Sequence, residues 1–268
     1  MKKVTGLVSL CALALVVGPS ALAANVGLPL DTKGSITFTD GDPSETGKIV
    51  KPNENDLDGS KEEVIDLDGK GTAGTGPLRI QFVPNFEFGT KAGFTSDAQV
   101  QNVQVIDYKL ADGSASGKKI APFVQVTNNT GNTAIRWTLS AKATTFQESD
   151  ASGNPVSGGH ILTGAHISLD GSTLTTTKGT TANAGALAAG QVAGTAIPTD
   201  GSTVVVLRST GDTNGKQVSN VFHNGYSEAG TYATGDTAGV KFVKPAGESA
   251  RASVNYKSTI TWTLTDSL

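Results

Sequence analysis

Residues 254–265 read Val-Asn-Tyr-Lys-Ser-Thr-Ile-Thr-Trp-Thr-Leu-Thr, and this stretch decides the fold class. Val254, Tyr256, Ile260, Trp262 and Leu264 fall on one side of an extended chain, while Asn255, Lys257, Thr259, Thr261, Thr263 and Thr265 fall on the other. A period of two marks a strand with one buried face. The same alternation recurs upstream. It is present at Ile36 and Phe38, at Leu78, Ile80 and Phe82, and at Phe86 and Phe88 after the interruption by Pro84. Val103 and Val105 start another run, and Ile135, Trp137, Leu139 and Ala141 share one face. Val124 and Val126 lead into Asn128-Asn129-Thr130-Gly131-Asn132, so a turn and a hairpin return are expected there. The continuous run Val204-Val205-Val206-Leu207 predicts a strand buried on both sides. Thr175 to Gly201 offers only a short helical turn near Ala184 to Ala189. The expectation is an all-β chain, a single β-sandwich-like domain with long loops.

Composition narrows the function. Thirty-three Gly and 10 Pro in 268 residues break the chain too often for a helical bundle or coiled coil. Lys and Arg total 21 against 24 Asp and Glu, a formal charge of −3, so the basic excess of a nucleic-acid-tracking surface is missing.

The N-terminus predicts export. Lys2 and Lys3 precede an apolar stretch from Leu7 to Val17, and Ala21-Leu22-Ala23 forms a small-x-small cleavage site, so residues 1–23 read as a signal peptide. Gly18-Pro19 ends the apolar stretch before it is long enough to span a bilayer, and no membrane span is expected after cleavage. Cys11 follows Leu10 and not a small residue, which argues against a lipobox, and removing residues 1–23 removes the only cysteine. Residues 24–75 are expected to form an N-terminal strand and an acidic linker, and residues 76–268 the main domain, with 24–268 as one structural unit. Asp40 to Asp68 holds ten acidic and three basic residues among Pro, Asn and Gly, the composition of a solvated linker or long loop. Asp56-Leu57-Asp58-Gly59 repeats as Asp66-Leu67-Asp68-Gly69. The EF-hand test fails, since Gly59 at loop position six places Ile65 at position twelve. A plain acidic loop and a calcium site on Asp56, Asp58, Asp66 and Asp68 are the two readings of this repeat.

Signs of catalysis are sparse. The only imidazoles are His160, His166 and His223, with no i, i+4 pair to hold zinc. Gly113 to Lys118 and Gly211 to Lys216 lack the spacing of a phosphate loop, and no Gly-x-Ser-x-Gly elbow occurs. No enzyme activity, cofactor or catalytic residue is expected.

Both tryptophans lie in one tripeptide pattern, Trp137-Thr138-Leu139 and Trp262-Thr263-Leu264. Two readings compete for these four residues. Either Trp137, Leu139, Trp262 and Leu264 fill the core, or the indoles form a stacking platform for a glycan, which requires at least one exposed ring. With these motifs, the sequence resembles the WxL-domain surface proteins of low-GC Gram-positive bacteria. Lys33-Gly34-Ser35-Ile36-Thr37-Phe38 resembles that family's opening strand. The blocks Gly76-Pro77-Leu78-Arg79-Ile80, Val83-Pro84-Asn85-Phe86-Glu87-Phe88-Gly89 and Pro122-Phe123-Val124-Gln125-Val126-Thr127 extend the likeness. Asn128, Thr130 and Arg136 depart from it, standing where many relatives carry Asp, Arg and Gly.

The resemblance implies a secreted cell-surface protein attached non-covalently to the cell wall, with peptidoglycan as the ligand. No sortase signal follows the second motif in this sequence, which agrees with non-covalent attachment. The alternative it implies is a subunit of a surface complex with other WxL proteins, docked on a membrane-bound WxL-interacting partner and on host matrix proteins.

Overall fold

The structure is a computed structural model that describes residues 30–31, 47–53, 63–91, 96–177, 186–190, 193–233 and 239–267. The predicted signal peptide, the opening strand at Ile36 and Phe38, and Asp56 and Asp58 lie outside these residues. The described residues contain strands and no helix. In chain order the strands are β1 (Leu30–Asp31), β2 (Ile49–Val50), β3 (Val64–Asp66), β4 (Gly71–Thr72), β5 (Leu78–Pro84), β6 (Gln99–Asn102) and β7 (Ile106–Leu110). Next come β8 (Ala115–Ile120), β9 (Phe123–Asn128), β10 (Arg136–Ala143), β11 (Phe146–Ser149), β12 (Ile161–Leu162), β13 (His166–Leu169) and β14 (Thr173–Thr176). The last are β15 (Leu187–Ala189), β16 (Thr195–Ala196), β17 (Val204–Ser209), β18 (Lys216–Val221), β19 (Val240–Lys244), β20 (Asn255–Lys257) and β21 (Ile260–Ser267).

Two five-stranded sheets make the centre, one ordered β1-β21-β10-β17-β15 and the other β14-β18-β9-β5-β4. Alternating residues of both enter one hydrophobic cluster: Trp137, Leu139, Trp262 and Leu264 from the first sheet meet Leu78, Ile80, Val124, Val126 and Val218 from the second. This is the sandwich the alternation predicts. The second sheet is covered on its other side as well. There β2-β3-β7-β8 contributes Ile65, Ile106, Tyr108 and Ile120 to a second cluster that includes Phe82, Phe123 and Val221. Double coverage explains why every residue of β9 is buried, including Gln125, Thr127 and Asn128.

The two Trp-x-Leu strands are direct antiparallel neighbours. Leu139 faces Leu264, Ala141 faces Trp262, and Trp137 faces Asp266. Each tryptophan lies two residues ahead of its own leucine, so antiparallel pairing puts the indoles at opposite ends of the central leucine pair. The repeated tripeptide therefore generates a local two-fold arrangement on one face. Small Ala141 leaves room across from one of the large rings. A one-residue slip of either strand would turn that strand's indole out of the core, so this register is strongly specified.

Several expectations are corrected. β9 and β10 do not form a hairpin; they belong to different sheets and pack face to face. The polar connection between them, bent by Asn128 and Asn132 side chains that cap the backbone N–H groups of Thr130 and Ala134, hands the chain from one layer to the other. In β17 only Val206 and Leu207 are deeply buried among the four apolar residues, because Val204 and Val205 precede a shift of register against β10. Leu187 to Ala189 is an edge strand and not a helical turn, since pairing with β17 satisfies its backbone. The acidic segment is not wholly a solvated linker: its described ends form β2 and β3, with Val50, Ile65 and Leu67 buried.

The leucine pair supplies a stability test. Leu139→Ala and Leu264→Ala should each cost about 2–5 kcal/mol in denaturant unfolding. The double variant should fall short of their sum by roughly 0.5–3 kcal/mol, because both changes empty one shared contact. Strict additivity would contradict the direct opposition.

Candidate functional site

Trp137 is 1% exposed and Trp262 0% exposed. Neither ring presents the open face that a glycan platform needs. The Trp137 indole N–H donates to Thr213 Oγ1 at 3.0 Å, and the same hydroxyl oxygen accepts from Asn128 Nδ2 at 3.1 Å. Thr213 is itself 1% exposed, so a turn far along the chain closes one end of the motif. Asn128 thus acts as an internal brace. Arg136 bonds locally to the carbonyls of Thr133 and Ile135. At the other end the Trp262 ring meets Phe86 edge-on at 6.4 Å, and its N–H has no partner among the described residues. That donor is held in place by packing alone.

The polar outer face of the second sheet clasps the end of the acidic segment. Gln125 makes a paired contact with Val50, accepting from its N–H at 3.2 Å and donating to its carbonyl at 2.7 Å. Gln81 donates to the Gly47 carbonyl, and Gln217 donates to the Lys48 carbonyl at 3.0 Å. Three side-chain amides therefore read backbone groups of residues 47–50. Beyond them, Lys51 is 4% exposed at its side chain and bridges Glu228 at 2.9 Å and Glu63 at 3.2 Å. Burial is the largest single influence on its ammonium and opposes the charge. The hydrogen bond that Lys51 donates to Glu228, the Tyr108 phenol and Glu63 together outweigh it, so the Lys51 pKa is raised above 10.5.

The surface carries a cleft of about 590 Å³ between the turn at His160, Ile161, Thr163 and Gly164 and the loop at Pro245 to Ser249. Sequence reading does not find it. Its walls are far apart in sequence, 84 residues for the bonded pair Gly164 and Glu248, and only His160 among its residues stands out by type. Lys244 fixes one wall from inside: its ammonium, in a residue 1% exposed, donates to the carbonyls of Asp97 at 2.6 Å, Glu248 at 2.5 Å and Pro245 at 3.4 Å. Glu248 ties the walls together, accepting from Gly164 N–H at 2.9 Å and Thr163 Oγ1 at 3.3 Å. Gly164 permits this approach, since a β-carbon there would lie 2.8 Å from the Pro245 ring. His160 Nδ1 lies 3.0 Å from the Tyr256 hydroxyl, which accepts from Arg251 N–H at 2.9 Å.

Of the four acidic residues considered for calcium, Asp66 and Asp68 are described and exposed. Asp66 caps the Asp68 N–H at 2.8 Å, and Asp68 pairs with Lys109 at 3.2 Å. No cluster of three or more metal-ligating residues occurs among the described residues. No helix among them is long and apolar enough to cross a membrane.

Residues 28–267 match the family model described as WxL domain, surface cell wall-binding. The chain belongs to the WxL-domain family. Comparisons with curated proteins and with solved structures return no match. The match makes the protein a surface, cell-wall-binding WxL protein, and it includes both Trp-x-Leu strands and both walls of the cleft. Within this WxL domain, the named motif lies inside the core and the accessible chemistry lies elsewhere.

Two outcomes follow from these environments. Trp137→Phe should cost about 1 kcal/mol more than Trp262→Phe in chemical unfolding, because only the first gives up a buried hydrogen bond. Lys51→Met should cost about 1–3 kcal/mol at neutral pH, less than a fully buried pair would, because its carboxylate partners are one-third exposed. A raised lysine pKa stabilises the fold fully below about pH 10.5 and loses that contribution as pH climbs through the folded value. Melting curves of Lys51→Met should therefore fall less steeply at alkaline pH than those of the wild type.

Proposed function

We propose that this WxL domain attaches to the wall non-covalently, by binding peptidoglycan directly, and that it acts as a binding module and not as an enzyme. The family match carries the reading. The burial of both tryptophans supports a division of labour in which Trp137, Leu139, Trp262 and Leu264 set the shape of the domain and exposed residues make the contact. Hydroxyl and amide side chains abound on the strands, and such groups suit a polar, uncharged ligand better than a phosphate-rich one.

Co-sedimentation of the purified protein with washed Gram-positive walls and with insoluble peptidoglycan is the test. Retention on both at physiological salt is expected. Trp262→Phe, if it keeps wild-type melting, should be retained equally, since the ring is enclosed. A protein that stays in the supernatant, or that binds only when a second surface protein is added, overturns direct attachment.

A further inference from the structure

We infer that the cleft between His160–Gly164 and Pro245–Ser249 is a recognition site for the acetamido group of an N-acetylated amino sugar. This rests on the wall-attachment reading and names where that contact is made.

Three features of the cleft match the three parts of an acetamido group. The first is an acceptor. Glu248 uses Oε1 to hold Gly164 and Thr163, whereas among the described residues Oε2 has no partner and no cation pairs with either oxygen. A covered carboxylate oxygen without a donor is costly, and a ligand N–H would relieve that cost with a charge-assisted bond. To meet a ligand the Glu248 carboxylate must swing about its soft terminal torsion, exchanging its bonds to Thr163 and Gly164 for one to the ligand N–H.

The second feature is a donor. The Tyr256 hydroxyl accepts the Arg251 N–H, so its own proton is free to be donated to His160 Nδ1. In the tautomer that accepts this bond, the His160 proton is on Nε2, where it can meet a ligand carbonyl. Glu148 steadies the same residue by accepting the His160 backbone N–H at 3.0 Å, and Arg251 offsets that carboxylate at 3.3 Å.

The third feature is an apolar contact. Ile161 is 43% exposed, one of two large hydrophobic residues so exposed among the described residues, and it lies in this cleft beside Pro245 and Ala246. A lone methyl group and the C–H face of a sugar ring are the kind of surface it can cover. Both walls are held before any ligand arrives. The Lys244 ammonium gathers three carbonyls, and Gly247 N–H reaches the Ser96 carbonyl at 2.7 Å. Preorganisation of this sort lowers the ordering cost of binding.

Calorimetric titration of the full-length protein with the N-acetylglucosamine tetramer, with cellotetraose and with a free wall stem peptide tests the assignment. The tetramer should bind, and cellotetraose, which lacks only the acetamido groups, should bind at least about tenfold more weakly. Glu248→Gln keeps the bond to Gly164 but offers an amide, and Ile161→Ser alters an exposed side chain. Each should weaken the tetramer and wall retention by about tenfold or more with unchanged melting. Equal binding of the two sugars, or displacement at the cleft by the stem peptide alone, overturns the assignment. Wild-type retention on walls with both variants retained equally also overturns it while leaving wall attachment intact. Failure of the wild type on walls removes the underlying reading instead.

Discussion

The face-to-face contact of Leu139 and Leu264 is the constraint on which the rest of the domain depends. It fixes the register of β10 against β21, and through it which side of each strand looks inward. With that register the large rings at positions 137 and 262 are spaced along one face, and the strands opposite can fill between them with Val124, Val126, Leu78 and Ile80. Packing of this density tolerates neither a slip nor an added methylene without cost. The middle of the chain and the last described strand are thereby tied together, 125 residues apart in sequence for the leucines.

Strand content and inward faces were legible because half-buried strands write their geometry directly into alternation. Trp262 and Leu264 are buried as the pattern at 254–265 requires, and Thr261 and Thr263 lie on the opposite face. Partnership was not legible in the same way. Nothing local distinguishes a turn that returns a strand to its neighbour from one that passes it to the facing sheet, and so Asn128 to Asn132 reads as a hairpin although β9 and β10 part company. Val50, Ile65 and Leu67 were hidden by the charge around them. A few apolar residues in an acidic run suffice once another sheet is there to receive them.

The cleft is the least legible part for a related reason. Its chemistry comes from two short turns joined by tertiary contacts, and the residues that give it shape do so through backbone groups. Lys244 is a surface residue by type, yet it is buried with its charge shared among three carbonyls. Glu248 sits in an ordinary turn, Pro-Ala-Gly-Glu, and becomes notable only when Gly164 lets the other wall approach.

The two buried lysines also bear on how a chain with a single cysteine, Cys11, holds its loops without an internal disulfide. Lys51 joins a segment near the start of the described chain to Glu228, 177 residues on, and Lys244 reaches back 147 residues to Asp97. Each performs the geometric task of a cross-link, gathering distant turns around one point. Neither constrains the unfolded chain as a covalent bridge would. Their contribution is confined to the folded state and, for Lys51, to the pH range in which its ammonium is charged. The tryptophans serve the centre of the sandwich, the turns around Lys244 are gathered into one wall of the cleft, and a motif recognisable in the sequence comes to mark the core and not the accessible surface.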